Sequence, residues 1–318
     1  MVSDFNKVTM IENIIHPDSH SKLKERTNDF LLFEDGSKLI VHDGTPILFS
    51  VESIFSQEDI INSKKTTQDS SHLDTSNFKN YIRRKLLPAL CTDFNIEKRY
   101  EELYKLVPAN SKMLIVGAGE KIDYYKNKFP ACEVITSDVH NQFKPDYVFD
   151  GHFIPFSDNS FDVVLAAQVI EHTINPWKFC LELQRVTKVG GLLQIEAPQS
   201  FPYHAEPYDF FRFTYTGFRS LFSQCEVVKV EITEGNAANM AVTISNYFVN
   251  LSSKKIIRSS WLFLTRLLFG WMKYLDRLQK TPNRRSVSMP KGYAFTLKKD
   301  TIKRSSKDLL KEFYSLKK

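Results

Sequence analysis

Apolar residues beyond position 111 fall into seven short runs, and the segments between these runs carry apolar residues at helical spacing. The runs lie at 113–118, 132–139, 146–150, 161–169, 191–197, 226–232 and 293–299. A continuous apolar run of this length is typical of a strand that is buried on both faces of a sheet. Strands that alternate with helices predict an α/β fold, in which a mostly parallel seven-stranded sheet carries helices on both faces.

The first sixty residues follow a different pattern, in which short apolar runs are separated by polar pairs. Two of these pairs are Asp-Gly, at 35–36 and 43–44, and this dipeptide is typical of tight turns between antiparallel strands. Residues 1–60 are therefore predicted to form a small β-rich unit. The segment 61–76 is rich in Ser, Thr, Lys and Asp and predicts a linker, and 77–110 predicts a helical lead-in to a domain at 111–302.

A helical insertion at 245–288 is predicted between the sixth and seventh strands, and 303–318 is predicted to be a basic C-terminal tail. Within the insertion, residues 256–278 combine large apolar side chains with interspersed Arg and Lys residues. That composition fits a helix lying on an anionic membrane surface, and it fits a lid or a homodimer contact equally well.

Composition narrows the functional classes. The net charge of +6 arises from 43 Lys and Arg against 37 Asp and Glu, spread along 318 residues. This distribution is not that of a DNA-binding protein and gives little support to RNA binding. The four cysteines are far apart, so we expect neither a metal site nor a disulfide framework. This cysteine usage fits a reducing, cytoplasmic compartment, and the sequence predicts neither a signal peptide nor a spanning helix.

Candidate chemistry appears where the first two predicted strands end. Gly117 and Gly119 form a Gly-X-Gly turn before a helix, where the backbone can approach an anionic ligand closely. Asp138 ends the second strand, 19 residues after Gly119, and a carboxylate there can accept hydrogen bonds from both hydroxyls of a ribose. The alternatives are an ordinary loop for the glycines and a helix cap for Asp138.

The run at 148–198 resembles the central stretch of class I S-adenosylmethionine-dependent methyltransferases of the type 11 group, with its Pro-Phe, Ser-Phe-Asp, Glu-His and Gly-Gly series. The resemblance implies a Rossmann-like fold and S-adenosyl-L-methionine as cofactor. It adds Asp150, Gly151 and Gln168 to Gly117, Gly119 and Asp138 as cofactor-binding residues, with Asp150 accepting from the adenine amino group and Gln168 facing the methionine portion. Two positions depart from the family, since Ile115 replaces an acidic residue and Lys121 replaces a third glycine.

The segment 198–222 resembles the His-x-x-Pro-Tyr-Asp-aromatic-aromatic-Arg-aromatic-Thr segment of methyltransferases found in glycan biosynthesis. It implies O-methylation of a sugar or glycan-lipid precursor, and thus a small-molecule or glycan acceptor. The candidate catalytic residues are His172, His204 and Asp209. His172 acts either as a general base or structurally, His204 could reach the acceptor hydroxyl, and Asp209 could instead form a structural ion pair with Arg212.

The N-terminal unit resembles a short zinc-ribbon module that precedes some methyltransferases and activates tRNA methyltransferases. His16, Ser19, Phe33 and Gly36 occupy its cysteine positions, and since serine, phenylalanine and glycine cannot replace thiolates, we expect a degenerate ribbon without metal. Because of this resemblance, a tRNA or other RNA methyltransferase is an alternative function for the chain. A non-catalytic scaffold with a methyltransferase fold is the other alternative, motivated by Ile115 and Lys121.

Overall fold

The computed structural model describes residues 13–61, 89–278 and 282–316 of the chain. The linker predicted at 61–76 lies outside these ranges except for its first residue, and so does the part of the helical lead-in at 77–88. The described part of the lead-in contains one helix, which begins at Ile96 and ends at Leu106.

The N-terminal unit is an antiparallel sheet of four short strands in sequential order, as its pattern of turns predicts. Asp43 and Gly44 both have positive φ angles, at 49° and 81°, which is the backbone of a type I′ hairpin turn. The strands are β1 (Leu23–Arg26), β2 (Phe30–Phe33), β3 (Lys38–His42) and β4 (Thr45–Pro46), followed by the short helix α1 (Gln57–Ile61).

All seven predicted strands of the main domain are present, and the α/β prediction is confirmed. The sheet has the order β10-β11-β9-β8-β5-β6-β7, in which only the pairs made by β11 are antiparallel. The strands are β5 (Lys112–Val116), β6 (Glu133–Asp138), β7 (Tyr147–Val148), β8 (Phe161–Ala167), β9 (Thr187–Pro198), β10 (Cys225–Ile232) and β11 (Gly292–Lys299). The third strand is shorter than predicted, and the fifth begins earlier.

Helices cover both faces of this sheet, as predicted. Alternate residues of β5 belong to two cores: Leu114 and Val116 pack with residues of α4, whereas Met113 and Ile115 pack with residues of α2 and α3. The helices of the main domain are α2 (Ile96–Leu106), α3 (Ile122–Lys128), α4 (Pro176–Val186), α5 (Tyr215–Ser220), α6 (Asn236–Val249), α7 (Lys255–Phe269) and α8 (Ser306–Ser315).

The N-terminal unit packs against the main domain and covers the β7 edge of the large sheet. Ile47 forms a parallel bridge with Val148 of β7, and the amide of Leu48 donates to the carbonyl of Val148 at 2.8 Å. Leu31 and Phe33 belong to the same buried cluster as β5 and β8 residues. Pairing a free edge strand in this way removes a site of aggregation.

Two turns of the N-terminal unit meet where the zinc-ribbon resemblance places its ligands. The ring of His16 packs edge-on against Phe33 with centroids 5.0 Å apart, and its Nδ1 accepts from the amides of Asp18 and Ser19. Ser19 also donates to Asp35 in the opposite turn. The space between the two turns is thus filled by packed rings and hydrogen bonds.

The insertion before the last strand is longer and more divided than predicted. It consists of α6, α7 and a 3₁₀ segment at Met272–Leu278, so it begins at Asn236 instead of residue 245. The start of α6 depends on Asp276, whose carboxylate accepts from the amides of Gly235, Ala237 and Ala238. A cap supplied from 40 residues away leaves no local sequence signal.

The segment predicted as a basic tail, 303–318, contains helix α8 docked on the main domain. The buried Arg219 donates to Glu312 of α8 through Nε at 2.6 Å and Nη2 at 3.0 Å. Phe313 of α8 packs against the larger core. Within the described residues, no helix is both long enough and apolar enough to cross a bilayer.

Candidate functional site

The parallel strands β5 and β8 lie side by side, but the chain leaves them toward opposite sides of the sheet. In open α/β sheets, ligands bind beyond the carboxyl ends of the strands at such a reversal. Gly117 follows β5 there with a φ of +71°, and a Cβ at this position would lie 2.5 Å from Cγ2 of Val169. Only glycine fits this turn, because both the backbone angle and the space exclude a side chain.

Asp138 at the end of β6 is bonded to the glycine turn. The amide of Gly119 donates to its Oδ2 at 2.9 Å, and the amide of His140 donates to Oδ1 at 3.3 Å. Burial raises the pKa of Asp138 to about 6, although these backbone hydrogen bonds act in the opposite direction. The structure therefore brings together the two features that the sequence pairs as a nucleotide-binding element.

A cavity of about 280 Å³ opens at this edge of the sheet, close to the lower end of the roughly 300–1,000 Å³ typical of small-molecule sites. Every predicted cofactor-binding residue lines it: Gly117, Gly119, Asp138, Asp150, Gly151 and Gln168. Among the predicted catalytic residues, His172 lines the cavity, whereas His204 and Asp209 do not.

Asp150, predicted to contact adenine, already accepts three hydrogen bonds. The hydroxyl of Ser53 donates to Oδ2 at 2.7 Å, and His152 approaches Oδ1 through its amide at 3.0 Å and through Nδ1 at 2.6 Å. Burial raises the pKa of Asp150, but the hydrogen bonds and charge of His152 outweigh burial and hold this pKa below its usual value. An adenine contact would have to share this carboxylate with the N-terminal unit.

Part of the cavity wall comes from the N-terminal unit, which sequence reasoning missed. Ile54 and Phe55 line the cavity together with Tyr208. The ring of Phe55 stacks on that of Tyr208 at 5.7 Å and meets His140 edge-on at 6.0 Å. These contacts join segments that are 85 or more residues apart, so no local spacing in the sequence indicates them.

The cavity lining also includes charged groups, namely Glu120, Lys121 and Glu196. Lys121, which replaces the family's third glycine, thus borders the site. Gln168 adopts a φ of +58°, which is uncommon for a residue other than glycine and is typical of functional sites. Its amide donates to the carbonyl of Glu196 at 2.9 Å, which ties the ends of β8 and β9 together.

One of these charged groups, Glu196, belongs to a cluster in which a buried arginine forms ion pairs with three carboxylates. Arg99 of α2 pairs with Asp93 at 2.8 Å, Glu196 at 3.1 Å and Glu231 at 3.2 Å. Burial raises the pKa of Glu196, and the charge of Arg99 opposes that rise. The cluster fixes Glu196 at the cavity wall, and sequence reasoning did not identify it.

The Glu-His pair lies in the 3₁₀ turn Ile170–His172, which follows β8. Nδ1 of His172 lies 2.6 Å from the carbonyl of Tyr208, which makes it the donor and leaves Nε2 as an acceptor. Burial lowers the pKa of His172, which favours the neutral form of the ring. The backbone carbonyl of Glu171 accepts from the amides of Phe210 and Phe211, and these bonds hold the segment after β9 against the site.

His204 and Asp209 belong to that segment. Arg212 donates to both carboxylate oxygens of Asp209, at 2.6 and 2.7 Å, and the amide of His204 donates to Oδ2 at 2.8 Å. The Asp209–Arg212 ion pair considered above is therefore present and shapes the loop. The ring of His204 packs edge-on against His172, with centroids 4.8 Å apart, and places a second imidazole beside the cavity.

Comparison with known proteins identifies the central part of this site. Residues 116–195 match a family described as "Methyltransferase domain". This range includes all six predicted cofactor-binding residues and His172, whereas His204 and Asp209 lie beyond it.

More distant matches cover limited or divergent stretches. An uncharacterized methyltransferase of Mycobacterium tuberculosis is 46% identical over 43 residues, which is 14% of this chain and 17% of that protein. The structure of phosphoethanolamine N-methyltransferase 2 from Haemonchus contortus, with S-adenosyl-L-methionine, covers 74% of this chain and 60% of its own at 12% identity and a TM-score of 0.43. The structure of the YcgJ protein from Bacillus subtilis covers 63% of this chain and 96% of its own, at 15% identity and a TM-score of 0.36.

Proposed function

We propose that this chain is an S-adenosylmethionine-dependent methyltransferase that O-methylates a sugar or glycan-lipid precursor. One observation supports the assignment of this cofactor. The six predicted cofactor-binding residues line a single cavity, and all six belong to the segment that matches a methyltransferase domain. A non-catalytic scaffold has no need of a glycine turn bonded to a buried carboxyl group.

The residues of the cavity fit this cofactor. Asp138 offers a buried carboxyl group for the ribose hydroxyls, while Lys121 and Glu196 offer opposite charges for the methionine carboxylate and amine. Bound S-adenosylmethionine would supply a sulfonium methyl group, whose transfer breaks the S–C bond, forms an O–C bond, and leaves S-adenosylhomocysteine and the hydroxyl proton. The remaining chemistry is alignment of the acceptor and removal of that proton.

His172 is suited to take the hydroxyl proton. Its Nδ1–H bond to Tyr208 fixes the tautomer and turns Nε2 into the acceptor, and burial keeps the ring neutral by lowering its pKa. The role is proton acceptance at one atom, Nε2, from an acceptor lying in the cavity.

Exposed aromatic rings on the segment that carries His204, and on α4, favour a carbohydrate acceptor. Tyr203 and Phe210 flank the loop that carries His204, and Trp177 packs edge-on against Phe211 at 5.9 Å. Such rings offer flat apolar faces, on which the C–H faces of a sugar can stack while its hydroxyls remain hydrogen-bonded.

The four cysteines are free thiols in the structure, which supports a reducing, cytoplasmic location.

The test is transfer of a radiolabelled methyl group to three acceptor panels: nucleotide sugars and lipid-linked sugars, total tRNA, and small amines. We expect label in an ether of a sugar, stable to mild alkali. His172→Gln should lower kcat more than KM, and His42→Ala, in the N-terminal sheet, should leave both unchanged. Label in tRNA alone would support the RNA alternative, and label in no panel despite cofactor binding would overturn the glycan assignment.

A further inference from the structure

We infer that Glu171, His172 and His204 form a divalent-metal site at the acceptor side of the cavity. One ligand atom from each of the three side chains lies within 4.8 Å of the others. Two imidazoles and one carboxylate are a ligand set that holds Zn²⁺, Mn²⁺, Fe²⁺ or Co²⁺ in proteins. Among the described residues, this is the one cluster of His, Cys, Asp and Glu with such spacing.

The state of Glu171 points independently to a cation. Its side chain is 0% exposed, and neither carboxyl oxygen has a hydrogen-bond partner. Leaving both oxygens of a buried carboxyl group without partners is unfavourable in either protonation state, and Nε2 of His172, at 3.8 Å, is too distant for a hydrogen bond. A metal ion between these groups would satisfy the carboxylate and use the lone pair of the imidazole.

The ring of His172 is oriented as that of a metal-ligating histidine usually is. A ligating histidine commonly donates its other ring N–H to a carbonyl, which fixes the ring and the tautomer. Nδ1 of His172 is bonded to the carbonyl of Tyr208 at 2.6 Å, which leaves Nε2 as its ligating atom. Nδ1 of His204 lies 3.2 Å from the carbonyl of Pro202 and 3.3 Å from Nη2 of Arg212, so the carbonyl alone does not set the tautomer of this ring.

Binding would draw the three groups together. Ligand atoms around tetrahedral zinc lie about 3.3 Å apart, given metal–ligand bonds of about 2.0–2.1 Å. His204 is the group free to move, because its side chain is one-third exposed on the loop after β9, whereas Glu171 and His172 are fixed in the 3₁₀ turn. Three protein ligands would leave a position open toward the cavity, which His172 lines.

The role of this metal rests on the proposed function. An acceptor hydroxyl bound at the open position would lose its proton more readily, since a divalent cation lowers the pKa of a bound O–H group. The proton would pass to water, and the oxygen would form the bond to the methyl group as the S–C bond of the donor breaks. With the metal bound, Nε2 of His172 serves as a ligand, and proton acceptance by this atom applies to the metal-free enzyme alone.

The experiment is a Co²⁺ titration of the full chain, followed by visible absorption and by metal analysis after gel filtration. We expect one equivalent of Co²⁺, displaced by Zn²⁺, with affinity at least tenfold lower in His204→Ala and Glu171→Gln. His42→Ala is the matched control, because His42 and His204 have side chains 32% and 33% exposed.

Two outcomes would overturn the metal site: no bound Co²⁺ in the wild type, or unchanged binding in His204→Ala, a loop variant expected to fold normally. Glu171→Gln should also retain the native circular dichroism spectrum, which separates loss of a ligand from loss of fold. Calorimetry with S-adenosylhomocysteine, run without metal, tests the cofactor site separately. If no metal binds, this calorimetry still tests the methyltransferase proposal.

A second inference comes from a different surface. We propose that α7 lies on an anionic bilayer surface. Only Thr265 of this helix is buried, and its exposed apolar side chains recur at helical spacing to form one stripe that continues to Trp271. The stripe consists of Ile256, Phe263, Leu264, Leu267, Leu268 and Trp271.

The positive charge of α7 favours anionic lipid as the binding partner of this stripe. Lys255 and Arg258 are exposed basic residues of the helix, and its sequence contains no acidic residue. A basic helix with an open apolar stripe binds anionic lipid through the apolar area that it buries and through the attraction of its cations to the lipid headgroups. A second copy of the chain would bring the same cations against each other.

Co-sedimentation with vesicles tests this contact. We expect binding to phosphatidylcholine–phosphatidylglycerol vesicles that weakens with salt, little binding to phosphatidylcholine alone, and loss of binding in Leu267→Asp. Leu181→Asp on α4 is the matched control, since Leu181 and Leu267 are 60% and 61% exposed. Absence of vesicle binding would overturn the proposal, as would a concentration-dependent dimer that Leu267→Asp dissociates, because the stripe would then be a dimer contact.

Discussion

The hydroxyl of Ser53 donates to Oδ2 of Asp150 at 2.7 Å, and this bond joins the N-terminal unit to the wall of the candidate cofactor cavity. Nearby, Phe55 stacks on Tyr208 across the same cavity. The N-terminal unit therefore completes the pocket instead of standing apart as a module. Its contribution to cofactor binding can be measured directly.

Ser53→Ala should weaken both S-adenosylhomocysteine binding and folding. The substitution removes one hydrogen bond to a charged group, worth about 1.5–3 kcal/mol. Ser37→Ala is the control, because its hydroxyl also bonds an aspartate but lies in an exposed turn. Calorimetry and urea unfolding give the two quantities, and equal cofactor affinity in both variants would show that the N-terminal unit does not shape the pocket.

Gly117→Ala should abolish cofactor binding, whereas Gly190→Ala should preserve it. Both glycines have positive φ, at +71° and +84°, so both substitutions strain the backbone. Only at Gly117 would the added Cβ meet a neighbour, 2.5 Å from Val169, while nothing lies within 4 Å of a Cβ at Gly190. Comparable affinities for S-adenosylhomocysteine in the two variants would argue against a close approach of ligand at the glycine turn.

Cofactor affinity should fall as the pH is lowered through about 6, the pKa to which burial raises Asp138. The ionised carboxylate accepts both ribose hydroxyls, so protonation removes an acceptor, and binding at pH 5 should be about tenfold weaker than at pH 7. His140 stays neutral across this range, because burial lowers its pKa to about 4. Asp138→Asn should bind weakly at every pH, and a wild-type affinity independent of pH from 5 to 7 would contradict the ribose role.

Arg99→Met should destabilise the chain by about 3–5 kcal/mol, since it removes the counter-ion of the buried Glu196 and the half-buried Asp93 and leaves Glu231 paired with Lys229 alone. Lys98→Met is the neighbouring control, because its pair with Glu102 is exposed and such pairs contribute less than about 1 kcal/mol. Urea unfolding measures both. A loss below about 1 kcal/mol for Arg99→Met would show that the cluster is not held by this arginine.

The sheet could be predicted because buried parallel strands leave continuous apolar runs, and each of the seven predicted strands is present. Gly117, Gly119 and Asp138 could be paired for a similar local reason: each follows directly from the end of a strand. Their convergence on one cavity follows from the parallel arrangement of β5 and β6. Whether they hold the cofactor stays a prediction until binding is measured.

Contacts between distant segments could not be predicted. Ser53 reaches Asp150, Arg99 gathers three carboxylates from other elements, and Asp276 caps a helix that begins 40 residues earlier. Each depends on side-chain positions that only the assembled sheet defines. The predicted roles of His204 and Asp209 came from a loop motif, and the structure places both beside the cavity instead of in its wall.

Calorimetric titration with S-adenosylhomocysteine tests the central claim most directly, using the wild type, Asp138→Ala and Asp158→Ala, whose carboxylate is 70% exposed and remote from the cavity lining. We predict one binding site, equal affinity in Asp158→Ala, and a loss of at least tenfold in Asp138→Ala, as expected for hydrogen bonds to a charged group. No binding to the folded wild type, or equal binding by Asp138→Ala, would contradict the assignment of this cavity to the cofactor.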